Sequence, residues 1–314
     1  MIKTNLPAIP LLSGMIQGFS PINRFSEVRS GWLRMVVICG LALSLFPGCS
    51  KLDLTPVASP PTGVYYPGKF VWHDLLTVDV EAAEDFYGSL LGWSFKKQGR
   101  YNVILNKDKA VGGIVEVKAK DKEVHAARWL VSLSVPDVEK AVVLVRRAGG
   151  IVHEGPVDLV NRGRGALIRD PQGAQLVLLH ALGGDPEDVD PEIGSWLWVE
   201  LWSSDIQDSL AFYEELGGYE SVTWEDDYHL LKKDGKWRGG IRFIPEEDIE
   251  MRWVPTVRVA DTVVTSRYAE MLGGKVLVEP GDVSQNESAA LIEDPAGALF
   301  VVQRWEKYSG LAGE

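Results

Sequence analysis

WHDLLTVDVEAAEDFYGSLLGW, Trp72 to Trp93, returns 126 residues later as WVELWSSDIQDSLAFYEELGGY, Trp198 to Tyr219. Aligned, Trp72 meets Trp198, Asp74 meets Glu200, Asp79 meets Asp205, Phe86-Tyr87 meets Phe212-Tyr213 and Gly92 meets Gly218. Each copy opens with an alternating run, as a half-buried strand does, and ends it at an Asp suited to cap a helix. The amphipathic stretch that follows closes on a Gly able to take the left-handed conformation just past a helix end. The unit is strand then helix, and the chain duplicates it with its spacing kept.

Weaker relatives occur at WLVSLSVPDVEKAVVLVRRAGG, Trp129 to Gly150, and WVPTVRVADTVVTSRYAEMLGG, Trp253 to Gly274. The four units predict four helices starting near Asp79, Asp137, Asp205 and Asp261. After each helix the runs read as three strands: near 94–97, 101–106 and 111–118; 151–154, 165–170 and 174–180; 222–224, 228–232 and 239–244; and 275–279, 288–293 and 298–304. The even modules share a turn, Asp170-Pro171-Gln172-Gly173 and Asp294-Pro295-Ala296-Gly297, in which Pro presets φ and Gly supplies a positive φ. The expected class is α+β. Two domains, 69–182 and 194–306, each pair two βαβββ modules into an open barrel-like sheet with helices outside. The acidic Gly-Pro stretch 183–193 is the linker and 307–314 a tail.

A hydrophobic content of 46% and a charged content of 24% are globular values. The net charge of -12 argues against nucleic acid, which needs clustered Lys and Arg. Both cysteines, Cys39 and Cys49, lie in the first fifty residues, so the repeats have no thiol for a disulfide, a thiolate metal site or a nucleophile.

Residues 1–49 read as a leader: Arg29 and Arg34 precede an apolar run, 35–46, that ends at Pro47-Gly48-Cys49-Ser50. Twelve residues fall short of the roughly 20 a membrane span needs. The arrangement resembles a bacterial lipoprotein signal, which implies lipidation at Cys49 and a membrane anchor in the cell envelope; a cleaved, soluble exported form is the alternative. Residues 50–68, with Pro56, Pro60, Pro61 and Pro67, read as a tether.

The recurring βαβββ plan, the D-[VI]-x-x-[AD]-x-x-FY-x-x-L-x-G strand-to-helix motif and the DPxG turn resemble the vicinal oxygen chelate superfamily, which includes glyoxalases, bleomycin-resistance proteins and extradiol dioxygenases. FVWHDLLTVDVEAAEDFYGSLLGW is most similar to tandem glyoxalase-like members. The resemblance spans about 70–305 and implies this fold; it does not by itself imply one activity. In the family's metalloenzymes a His or Gln lies seven residues before the capping Asp, and a Glu seven after the Asp of the turn. Those positions here are Trp72, Leu130, Trp198 and Val254, then Val177 and Val301, none able to donate to a metal. The remaining ligand position falls at glycines, Gly112-Gly113 and Gly239-Gly240. No metal, cofactor or catalytic residue is therefore expected at the usual place. His73 alternates to the helix-facing side, and His125, His153, His180 and His229 share no spacing, so all five read as structural or surface residues.

Alternation puts Trp72, Asp74, Leu76, Leu130, Ser132 and Ser134 on the first concave face, and Trp198, Glu200, Trp202, Val254, Thr256 and Arg258 on the second. Each combines an aromatic wall with one acid, which suits a small aromatic or cationic molecule. The tryptophans could equally plug the space, and Glu200 could pair with Arg258. The expected function is a metal-free, envelope-tethered small-molecule binder. The alternatives are a lyase, isomerase or dioxygenase with a metal displaced to Asp74 or Glu200, and a structural envelope protein. If the leader is lipidated, Cys49→Ser releases the protein from the membrane fraction, because two or three acyl chains anchor firmly at about 0.8 kcal/mol per buried CH₂. Unchanged membrane retention in that variant would contradict the anchor.

Overall fold

Each of the four expected caps forms. In the computed structural model, which describes residues 54–117, 127–225, 227–245, 249–281 and 289–305, Asp79, Asp137, Asp205 and Asp261 hold extended backbone. Their side chains accept from the amides of Ala82, Lys140, Asp208 and Val264, satisfying first-turn donors that the helix itself leaves free. The helices are α1 (Val80–Leu91), α2 (Val138–Arg147), α3 (Ile206–Gly217) and α4 (Thr262–Met271). Gly92 and Gly218 end α1 and α3 at φ 70° and 68°, conformations that favour glycine.

The first sheet holds β1 (Phe70–Thr77), β2 (Ser94–Gln98), β3 (Tyr101–Asn106), β4 (Lys109–Glu116), β5 (Arg128–Ser134), β6 (Ile151–Leu159), β7 (Gly163–Arg169) and β8 (Gln175–Ala181). The second holds β9 (Trp196–Ser203), β10 (Glu220–Glu225), β11 (Tyr228–Lys233), β12 (Lys236–Phe243), β13 (Arg252–Val259), β14 (Lys275–Val278), β15 (Ala289–Glu293) and β16 (Leu299–Arg304). Their orders match: β2-β3-β4-β1-β5-β8-β7-β6 and β10-β11-β12-β9-β13-β16-β15-β14. Two modules share each sheet through one antiparallel seam, β1 with β5 and β9 with β13.

The helix-facing cores do not stay within one sheet. One joins Val131, Leu133 and Val145 of the second module to Leu201, Phe212 and Trp253 of the third and fourth. The other joins Leu75, Phe86 and Trp93 of the first module to Val257, Ala269 and Phe300 of the fourth. Two hydrogen-bond chains, of two bonds each, run through them. Tyr87 donates to Asp294 Oδ2 at 3.0 Å and accepts from Trp129 Nε1 at 3.1 Å; Tyr213 donates to Asp170 Oδ2 at 2.8 Å and accepts from Trp253 Nε1 at 2.9 Å. The other oxygen of each aspartate gathers amides of its own turn, Gln172, Gly173 and Ala174 or Ala296 and Ala298. The length of each half would allow a core of its own; the molecule instead buries its helix faces mutually.

Two connections are tighter than composition implies. The described part of the tether, 54–68, is packed down: Leu54 is buried with Tyr101 and Val103, and Val57 with Trp72, because apolar side chains there cover the end of the first sheet. In the linker, Asp185 accepts from Tyr66 N and Ser134 Oγ, and Asp188 pairs with Arg238 and Lys236. Cys49, the leader and the tail 307–314 lie outside the described residues, as does His125. Among the described residues no helix is long and apolar enough to cross a membrane.

His73 points to the helix side as alternation requires, is buried, and stacks on Trp196 of the other sheet at 4.2 Å between ring centres. Neither ring nitrogen has a hydrogen-bond partner among the described residues, and burial lowers its pKa from 6.5 to about 3. Between those values the unfolded chain binds a proton that the fold refuses, so this contribution to stability is present above pH 6.5 and is lost as pH falls towards 3. The loss is on the order of 5 kcal/mol at about 1.4 kcal/mol per pKa unit. His73→Phe keeps the stack and removes the titration. Denaturant unfolding should show the variant gaining on the wild type as pH falls from 6.5 to 3; parallel pH profiles would contradict the assignment.

Candidate functional site

The first concave face centres on Asp74, opposite Leu130 on one side and Gly113 on the other. Tyr101 donates to Asp74 Oδ1 at 2.6 Å, and Trp72 Nε1 lies 3.0 Å from the same oxygen and 2.9 Å from the phenol. Arg162, from the turn between β6 and β7, lies 3.4 Å from Asp74 Oδ2, donates to the phenol at 2.9 Å and to the Thr55 carbonyl at 2.6 Å. Its guanidinium stands 4.4 Å over the Trp72 ring, a cation–π contact. Burial, then the Asp74 charge, pushes the Tyr101 phenol far above its ordinary range, so it stays a donor.

The second sheet builds a similar group. Trp198 Nε1 donates to Tyr228 at 3.1 Å; Arg242 meets Glu200 at 3.0 and 3.3 Å and lies 4.2 Å over the Tyr228 ring; Trp202 Nε1 donates to Glu200 at 3.2 Å. Here the arginine comes from β12. Glu200 is therefore paired by Arg242 and not by Arg258, which stands further along β13, donates to the Pro191 carbonyl and covers Trp305. The family's ligand position on the last strand of the odd modules is glycine for a visible reason. A Cβ at Gly113 or Gly240 would collide with the hydroxyl of Tyr101 or Tyr228. Each tyrosine occupies the space that a ligand side chain would need.

Beyond these groups the two faces differ. Asp74, Leu76, Leu130 and Ser132 line an open cleft that encloses about 630 Å³, counted with the solvent at its mouth. Its walls are aliphatic, including Leu54, Val115, Leu167 and Val177, with Glu154 and Arg162 as further polar groups. The expected aromatic wall is absent, because Trp72 is sealed under Arg162 at 1% exposure. Ser134 is turned to Asp185. On the second face Trp202, the counterpart of Leu76, packs with Ile244, Val254, Val278, Leu291 and Val301 and fills the corresponding space. Trp198, Glu200 and Thr256 are buried there. Alternation found Asp74 and the cleft's β1 and β5 floor. It missed Tyr101 and Tyr228, which could have been paired through their equal spacing to Gly113 and Gly240, and it missed Arg162, Arg242, Glu154 and Leu54, for which the repeat carries no signal.

The donor set does not fit the family's metal. The matching positions carry Trp72, Leu130, Val177, Trp198, Val254 and Val301, and among the described residues no three His, Cys, Asp or Glu come together. Asp74 and Glu200 already accept from Trp, Tyr or Arg. A divalent ion normally takes three or more protein donors.

A profile of the Glyoxalase/Bleomycin resistance protein/Dioxygenase superfamily matches residues 69–178. "Putative glyoxylase CFP32" of Mycobacterium tuberculosis is 30% identical over 253 residues, covering 77% of this chain and 97% of that protein. "Anthracycline biosynthesis protein DnrV" of Streptomyces peucetius is 30% identical over 273 residues, covering 79% and 98%. The Mn(II)-bound glyoxalase from Novosphingobium aromaticivorans superposes with a TM-score of 0.56 at 14% identity over 77% of this chain and 83% of that one, a likeness of fold.

Proposed function

The chain belongs to the Glyoxalase/Bleomycin resistance protein/Dioxygenase superfamily, and from that premise we propose that the cleft of its first sheet binds a small, largely apolar molecule bearing a cationic or hydrogen-bond-donating group, without the family's metal. The observation that carries this is the contrast between Leu76 and Trp202: the same position leaves a cleft in one sheet and closes it in the other. Aliphatic walls favour an apolar body, and a few convergent polar groups orient it. Asp74 is neutralised by Arg162 and hydrogen-bonded by Tyr101 and Trp72, so charge selection falls to Glu154, whose carboxylate makes no hydrogen bond or ion pair among the described residues. The second sheet is the structural half, its Glu200–Arg242 pair standing in a filled interior. An anchor at Cys49 would place the cleft in the cell envelope; only the leader sequence supports that part.

A lyase, isomerase or dioxygenase using a metal displaced to Asp74 or Glu200 is the second reading, and the family itself favours it. Against it stands the occupation of both carboxylates by donors of this chain. The structural envelope reading fits the second sheet alone.

Two relatives are named for anthracycline biosynthesis, which makes an anthracycline the first probe, beside an aliphatic amine and its uncharged analogue. Calorimetry should give one site per chain. Leu76→Trp gives the first sheet the residue that the second already carries, and should abolish binding with the thermal transition retained. Glu154→Gln should weaken the amine about tenfold, or about 1.4 kcal/mol, and spare the uncharged analogue. Elemental analysis should find no stoichiometric manganese, iron, nickel or zinc. Undiminished binding in Leu76→Trp would contradict the cleft, and one metal per sheet, lost in Asp74→Asn or Glu200→Gln, would move the metalloenzyme to first place.

A further inference from the structure

Buried and half-buried arginines of this acidic chain have acceptors: Arg162 is matched by Asp74, Arg238 by Asp188, Arg242 by Glu200 and Arg252 by Glu250, and Arg258 by the Pro191 carbonyl. Arg128 and Arg169 do not. Neither guanidinium makes a hydrogen bond or ion pair among the described residues, and Arg128 Nε is buried without a partner. Strand alternation puts Arg128 on the concave side with Leu130, as the cross-strand neighbour of Leu76, and puts Arg169 directly opposite Gln175. Arg128, Leu130 and Gln175 line a crevice of about 430 Å³, counted with solvent at its mouth, where the first sheet meets Trp253 and Arg252 of the second. His153, at the irregularity in β6 between Val152 and Glu154, completes the group. Burial, then the charges of Arg169 and Arg128, holds its imidazole below the ordinary range, and its Nε2 is buried and unpartnered.

The second sheet shows that the fold does not require Arg169 or Gln175. The counterparts of Arg169 and Gln175 there are Glu293, paired with Lys275, and Leu299, while the counterpart of Arg128, Arg252, has its own acid in Glu250. Glu250 also borders the crevice, and its carboxylate is engaged by Arg252 at 2.8 Å. Buried donors without partners mark a place where the chain leaves its hydrogen bonds to another group. Two guanidiniums and an amide side by side match the geometry and charge of an oxyanion, to which charge-assisted bonds are the strong ones.

We propose that Arg128, Arg169, His153 and Gln175 form a binding site for a carboxylate or phosphate group at the crevice between the two sheets. Leu130 separates this site from the cleft, and the site stands whether or not the cleft takes a ligand. A bound oxyanion offsets the two guanidinium charges, so the His153 imidazole regains its proton at higher pH when the site is filled.

The test is a titration of the full chain with inorganic phosphate and, separately, with succinate, each against sodium chloride at equal ionic strength, read by the NMR resonance of the His153 ring. The expected result is a saturable shift with one of the two oxyanions and an upward move of the His153 midpoint, both absent with chloride. Arg128→Gln and Arg169→Gln should each weaken binding tenfold or more, and Arg146→Gln, on the exposed side of α2, should not change it. The two oxyanion arms decide between phosphate and carboxylate. Equal shifts with chloride, no saturation with either oxyanion, or wild-type affinity in both arginine variants would overturn the site.

Discussion

A buried phenol that donates to a buried carboxylate in the opposite half holds this molecule in register, and the bond occurs twice, from Tyr87 to Asp294 and from Tyr213 to Asp170. Each aspartate also collects the amides of its own DPxG turn, and each tyrosine also accepts from a tryptophan of its own sheet. Helix, turn and seam strand thus meet at one pair of side chains. Burial, and then the facing aspartate, pushes both phenols well above their ordinary range, while burial raises both carboxyl groups. In such surroundings a lost partner leaves an uncompensated polar group, which costs more than the bond itself contributes in net terms. Module one is tied to module four by this means, and module two to module three.

Once the helix faces are committed to each other, the concave faces are free to differ. Both keep a Trp, a Tyr, an Arg and an acid, and both use a glycine to admit the phenol where a ligand side chain would stand. The arginine, however, arrives from a turn in one sheet and from a strand in the other. Two routes to one charge arrangement indicate that the inward acid needs neutralising by a fixed cation, which an isolated buried carboxylate requires on physical grounds. The exchange of Leu76 for Trp202 then decides which sheet keeps a cleft.

Short-range signals are legible in the sequence. The four capping aspartates, the DPxG turns and the alternation of β1 and β9 depend on residues within a few positions of one another, and they form where they were expected. The tyrosine of the FY pair and the aspartate of the turn were both visible as motifs, but their bond spans 207 or 43 residues and crosses between halves, so no spacing announced it. Arg162 was hidden for the same reason: it reaches Asp74 from 88 residues away and has no counterpart in the repeat. The packing of 54–68, the described part of the stretch 50–68 that reads as a tether, is not legible in the sequence, because composition does not tell exposed apolar residues from ones, such as Leu54 and Val57, that cover the first sheet.

The claim that the two sheets form one cooperative body through the paired Tyr–Asp bonds is tested most directly by equilibrium urea unfolding, followed by tryptophan fluorescence and by far-ultraviolet circular dichroism. The wild type should unfold in a single transition with coincident probes. Tyr87→Phe and Tyr213→Phe should each lower its stability by about 1–3 kcal/mol, since each strands a buried carboxylate and an indole N–H. Two resolved transitions in the wild type, or tyrosine variants as stable as the parent, would contradict the account.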